Sequence, residues 1–439
     1  MPSRNQPGLL ARVNFPLYTL QMLTSRHVIV GGGGGSSKTG VANGFEIFEL
    51  SYNGNRFVVE EMIRHETGPS VVMNCACVST PKKTYLVAGQ ESHCQLYLVT
   101  SEIVSRKRNI STSNDVHQKK EGGVRRRTTS KSKSSTSEDP PSKINEDHIK
   151  TEGSKDSQNT LDRHLEFHIK PADSIQTDFS SEALQRVVRI SPSGQLMATG
   201  GTDGHVRLWN FPSMKPHCDI VAHHKEIDDL DFSPDSISVA SVSKDGKGYI
   251  WCVKTGNKLT ELEWTPTNGT KYLYKRCRFG RVEEDPKKSR LFLICNPVSR
   301  VGKQTAHIQL WDPAQGLRRT AQVEESLSAL AVRDDGRFIA VGTMFTGTVD
   351  IYIAFSLQRV LHVKDAHSMF VTGLEFLPAL GSETSITTVS EAAVVSISVD
   401  NKVCIHNLPY RRTLPSWLVV VLIIVTLFFT FVICSYMGL

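Results

Sequence analysis

Short stretches in which apolar and polar residues alternate recur between residues 9 and 410, separated by turns rich in Gly, Asp, Asn, Ser and Pro. A period of two marks a strand with one buried face, and many short strands between turn signals predict an all-β architecture. The clearest unit covers residues 186–190, 195–200 and 205–209, with Pro192-Ser193-Gly194 and Asp203-Gly204 in its turns. The next repeats it over 230–232, 239–243 and 249–251, with Pro234-Asp235 and Asp245-Gly246 in the matching places. Weaker copies cover 18–50, 71–99, 307–312, 327–353 and 371–408; the one at 307–312 holds the chain's only Trp-Asp dipeptide, Trp311-Asp312. Seven units result. The last has no fourth strand of its own, and residues 9–13 are expected to supply it and close a ring.

Trp209 and Trp251 stand 42 positions apart, inside the ~40–45-residue period of WD-repeat blades. The units resemble that family, which implies a seven-bladed β-propeller with a Trp on each third strand and an Asp in the turn before it. Asp203 with Trp209 and Asp245 with Trp251 fit that placement, Trp311 matches in part, and His406 stands where the last Trp belongs. His223 or His224 with Ser241 completes a buried hydrogen-bonded set around Asp245 and Trp251. These groups are expected to satisfy one another structurally, not to catalyse.

Two segments break the pattern. No charged residue occurs from 414 to 439, and 417–434 is almost unbroken Leu, Val, Ile and Phe, which predicts a transmembrane helix over 414–435. Arg411-Arg412 precede it and Trp417 and Tyr436 flank it, so the propeller at 9–410 is expected in the cytosol, with residues 436–439 as a short luminal tail. No apolar signal segment opens the chain. Residues 101–159 are rich in Ser, Thr, Lys and Arg and carry much of the net charge of +7. They read as a disordered insertion between the third and fourth strands of the second blade. Nucleic-acid binding is disfavoured, because no aromatic residues interleave the basic runs to stack bases. The nine cysteines form no Cys-x-x-Cys pair, which fits a reducing compartment.

The candidate site is Gly31-Gly32-Gly33-Gly34-Gly35, running into Ser36-Ser37-Lys38-Thr39-Gly40-Val41-Ala42-Asn43-Gly44 between two strand patterns. So much glycine is entropically costly as a mere hairpin turn; its use is a bare backbone that approaches a ligand or protein closely. A phosphate loop needs a glycine directly before the Lys-Thr pair and a helix after it. Ser37 occupies that position and a strand pattern follows, so the nucleotide-cradle reading fails.

This loop, Phe15-Pro16-Leu17-Tyr18 before it and the apolar C-terminus together resemble the endoplasmic-reticulum WD-repeat exchange factors that activate the small GTPase of the COPII coat. The resemblance implies guanine-nucleotide exchange at that membrane without covalent chemistry, starting coat assembly and export to the Golgi. It also implies that Gly31 to Gly35, Lys38, Thr39, Gly40, Val41 and Asn43 contact the GTPase. A structural potassium ion is implied in the same loop, held by main-chain carbonyls with Asn43 as a further oxygen ligand; Val41 would present an apolar tip. Strand alternation sends loop and anchor out of opposite faces. Two rival readings are a DNA-binding transcriptional regulator, suggested by the basic insertion, and a tail-anchored scaffold without exchange activity.

Overall fold

The computed structural model describes residues 8–35, 40–80, 83–106, 162–266, 269–283, 285–298, 305–381, 386–410 and 416–438. The described strands form seven antiparallel four-stranded sheets. Their inner strands are Leu17–Met22, Asn74–Ser79, Gln185–Ile190, Ile227–Phe232, Tyr272–Val282, Leu327–Val332 and Val371–Phe376, the first strands of blades 1 to 7. Each packs beside the next, and the seventh returns to the first, so the blades close a β-propeller. Second strands are sandwiched between neighbouring blades and are buried on both faces. His27–Gly32 and Phe338–Thr343 are buried at every position, which explains why they read as apolar runs rather than alternations.

Closure is made by the N-terminal strand. Leu9–Arg12 pairs antiparallel with Lys402–Leu408 as the outer strand of blade 7, and Val13 N–H donates to Asn401 O at 2.9 Å. Val13, Phe15, Leu17 and Leu20 then share one core with Val395, Ile397, Val403 and Ile405.

The polar sets hold the blades from inside. His223, not His224, completes the set in blade 4: its Nδ1 lies 3.0 Å from Asp245, its Nε2 2.8 Å from Ser241, and Trp251 Nε1 donates to the same hydroxyl at 2.9 Å. His224 gives Asp245 only its main-chain N–H. Burial lowers the His223 pKa, and Asp245 offsets this only in part. Blade 3 has no such histidine: Trp209 donates to Thr199, and Asp203 pairs with Arg207 at 2.8 Å. In blade 5, Trp311 donates to Gln309 of its own strand. Blade 7 rebuilds the set with His406 in place of Trp, linking His406 to Ser396 (2.8 Å), Ser396 to His367 (2.7 Å) and His367 to Asp400 (3.1 Å). Burial, then His367, pushes His406 down to about 3, so it remains neutral.

The inner strands surround a cavity of about 350 Å³ whose lining includes Arg189, Asp229, Asp231, Arg278 and Glu375. Burial would raise the Asp229 carboxyl, but Arg278, Arg189 and Arg276 overcome this and hold it below the usual range.

The basic segment departs from expectation at its edges. The third strand of blade 2, His93–Arg106, runs into it, and the fourth, Asp162–Gln176, begins just beyond it. The expected disorder of the remainder lies outside the described residues, as do Arg411 and Arg412. The apolar helix is Ser416–Met437, so Tyr436 and Met437 belong to it and not to a separate tail. Its Trp417–Met437 stretch of 21 residues is long and apolar enough to cross a membrane, at roughly 31 Å against a ~30 Å hydrocarbon core.

Candidate functional site

The glycine segment connects His27–Gly32 to Gly44–Tyr52, the second and third strands of blade 1. Leu17 pairs with Gly32, so the loop emerges on the face where inner strands begin. Leu408, the last strand residue before the helix, pairs with Ala392 at the other face. Loop and anchor therefore leave opposite faces, as strand alternation implies.

Gly31 and Gly32 are strand residues and fully buried, which corrects their placement in a partner-contacting loop. Their glycine identity has a packing cause. A Cβ on Gly32 would sit 1.9 Å from Pro16 O, and one on Gly31 would sit 3.0 Å from Phe45, Thr19 and Val72. Gly33, with φ +146°, is also buried; its N–H donates to Pro16 O at 3.0 Å, and a Cβ there would lie 2.0 Å from Asn43 Oδ1. The chain emerges at Gly34 and Gly35, which are half-buried, and Gly35 (φ +86°) and Gly40 (φ +76°) have open space around them. Ser36 to Thr39, including Lys38 and Thr39, lie outside the described residues.

Asn43 organises the neck. It is 5 % exposed. Its Oδ1 accepts from Gly35 N–H at 3.0 Å, and its Nδ2 donates to Gly35 O at 3.1 Å and to Gly68 O at 2.9 Å. Its main-chain O accepts from Thr67 N–H at 3.0 Å. One side chain thus ties the glycine segment to the turn leading into blade 2, whose Thr67 hydroxyl donates to Ser70 O. The side chain is a clamp inside the loop and is covered from solvent, which the sequence did not reveal. Val41 likewise is not a freely projecting tip; it is half-buried and packs against the core shared by blades 1 and 7. Gly40 and Ala42 are the exposed members of the described positions.

Gly35 O, Gly68 O and Asn43 Oδ1 are uncharged oxygens, each with a second lone pair beyond its hydrogen bond. Such a donor set suits a large monovalent cation better than a divalent one, which draws on carboxylates.

Comparison with known proteins places this geometry. The WD domain, G-beta repeat family matches residues 181–210 and 214–252, the units of blades 3 and 4. The guanine nucleotide-exchange factor SEC12 of Mus musculus is 34% identical over 421 residues, covering 94% of this chain and 93% of that protein. The chain belongs to the SEC12 family of exchange factors. The Rattus norvegicus protein of the same name matches at the same identity and length, whereas SEC12-like protein 1 of Arabidopsis thaliana is 29% identical over 213 residues, 47% of this chain. In this SEC12-family chain the two sharpest WD units and the glycine loop lie on different blades. The fold signature and the loop therefore inform separately.

Proposed function

We propose that this chain is a guanine-nucleotide exchange factor for the small GTPase of the COPII coat, working from the endoplasmic reticulum membrane with its propeller in the cytosol. The observation that carries the reading is the glycine loop clamped at its neck by a buried Asn43 in a chain of the SEC12 family. Exchange requires no bond to be made. It requires tighter binding of the nucleotide-free partner than of the loaded one, which by reciprocity weakens nucleotide binding. A thousandfold acceleration corresponds to about 4 kcal/mol of differential stabilisation. Ordering a glycine backbone is costly, and pre-shaping at its base by Asn43 lowers the part of that cost left for docking. Gly34, Gly35, Lys38, Thr39 and Gly40 are assigned as its working positions, and Asn43 and Val41 as its support.

A potassium ion is the second part of the proposal. Gly35 O, Gly68 O and Asn43 Oδ1 would hold it, and it would stiffen the loop between them.

Release of a fluorescent GDP analogue from the purified GTPase by the full chain in nanodiscs tests both parts. Acceleration is expected, greater in potassium than in sodium. A rate equal to the uncatalysed one, across a panel of small GTPases, would end the exchange reading.

Orientation is tested separately. Asn109-Ile110-Ser111 and Asn268-Gly269-Thr270 are acceptor sequons. With the propeller in the cytosol, neither asparagine gains sugar in mammalian cells, and glycosidase treatment leaves the electrophoretic mobility unchanged. A mobility shift at either site places the propeller in the lumen.

A further inference from the structure

We propose that the GTPase also docks on an apolar cluster formed by Phe345, Met369 and Phe370, beside the glycine loop on the same face; the inference rests on the exchange reading. These side chains are 61%, 47% and 38% exposed. They come from two turns. Phe345 lies between the second and third strands of blade 6, and Met369-Phe370 immediately precede the inner strand of blade 7. Leu327 pairs with Thr343 and Val371 with Ser398, so both turns sit where inner strands begin, as the glycine loop does.

The turns touch each other. A Cβ on Gly347 would meet His367 O at 2.2 Å and Met369 O at 2.8 Å. Contact with blade 1 is equally direct: the Thr372 hydroxyl donates to Leu17 O at 2.7 Å, and Leu17 is paired with Gly32 at the root of the loop. The cluster and the loop are thus parts of one continuous surface crossing blades 6, 7 and 1.

Each turn is pinned from below. Glu325 accepts from Phe345 N–H, Thr346 N–H and the Thr346 hydroxyl at 2.5, 2.8 and 2.6 Å. Asp400, held by His367, accepts from Ser368 N–H at 2.9 Å, and the Ser398 hydroxyl donates to Phe370 O at 2.8 Å. Polar groups here fix the backbone while the aromatic side chains stay in solvent. Rigid aromatic anchors with little entropy left to lose are the usual energetic centres of interfaces.

Area supplies the reason for the occupant. A specific protein complex covers about 800 Å² on each partner, some 20–30 residues. The glycine loop spans only residues 33–43 between its strands, and much of its neck is buried. A GTPase seated on it must cover adjoining surface. The three side chains offer on the order of 250 Å² of apolar area in the adjoining blades, about a third of what one partner of such a complex covers.

The test uses the full chain in nanodiscs and GDP release from the purified COPII GTPase as a function of GTPase concentration. The Phe345→Ser/Phe370→Ser double variant is expected to raise the apparent KM about tenfold or more, with the maximal rate within about twofold of wild type. Phe355→Ser, on the opposite face and 59% exposed, is expected to leave both parameters unchanged. A thermal melt of each variant verifies folding, and Phe345→Leu/Phe370→Leu is expected to restore most of the affinity. An unaltered KM in a folded Ser variant, or an equal rise with Phe355→Ser, overturns the docking surface while leaving the exchange reading standing. Lack of acceleration by the wild-type chain overturns both.

Discussion

Asn43→Ala is expected to slow catalysed GDP release about a hundredfold while changing the melting temperature by only a few degrees. The side chain makes three hydrogen bonds, two to Gly35 and one to Gly68. At about 1 kcal/mol each, their loss shifts the balance between the shaped and the unshaped loop by about 3 kcal/mol. Every 1.4 kcal/mol is tenfold in population, so the competent conformation becomes about a hundredfold rarer. The rate follows, because a factor whose binding-competent state is scarce has its apparent affinity reduced by the same fraction. Global stability is affected less, since glycine-rich segments on a propeller face open locally without unfolding the blades. Asn43→Asp separates the contributions. It keeps the acceptor for Gly35 N–H but sets a buried carboxylate oxygen against Gly35 O and Gly68 O, so its rate should be no higher than that of alanine. Full activity of Asn43→Ala, measured as kcat/KM over a range of GTPase concentrations, would falsify the clamp.

The blades could be read from the chain where their signals were local. Trp209 and Trp251 with their preceding Asp turns mark blades 3 and 4, since each motif is complete within one repeat. The strand at residues 9–13 was readable by subtraction, because blade 7 lacked a partner for its third strand. Three features were hidden, each for a stated physical reason. Gly31 and Gly32 looked like loop because glycine carries no strand preference; their burial is dictated by Pro16, Phe45 and Val72, which come from elsewhere in the chain. Asn43 was given a partner or cation contact by the family resemblance; its role as a clamp stayed hidden because one of its partners, Gly68, is remote in sequence. Phe345 and Phe370 lie in turns outside the strand patterns, and only the carboxylates of Glu325 and Asp400, which fix those turns, reveal that they are held in solvent. Function was readable from the combination of glycine loop, repeats and apolar C-terminus. The support of that loop had to come from tertiary contacts.

The inner strands carry the second large effect. Asp229→Ala is expected to lower the melting temperature by about 5 °C at neutral pH. Asp229 is 2% exposed and accepts from Arg278 at 2.5 Å, Arg189 at 3.4 Å and Cys277 N–H at 3.2 Å. Removing it takes the nearest carboxylate from two guanidinium groups in the wall of the central cavity and leaves Arg189 with Asp231 at 3.8 Å. Breaking a buried pair by deleting one partner costs about 3–5 kcal/mol, because the remaining charge loses compensation, and each kcal/mol is worth about 1–2 °C in a propeller of this size. The pH dependence has a definite sign. Burial opposes ionisation of Asp229, but its arginine partners more than offset this, so its folded pKa lies below the unfolded value. Its contribution is therefore fully present above the ordinary carboxylate range and disappears as pH falls through the depressed folded value. The gap between wild type and Asp229→Ala should accordingly be widest near neutrality and narrow as the solution is acidified below about pH 4. Asp229→Asn, which keeps the shape and an acceptor but not the charge, should fall between them. Calorimetry on the three proteins from neutral to acidic pH decides the matter: a gap that stays constant with pH would mean that the loss arises from packing and not from the buried carboxylate.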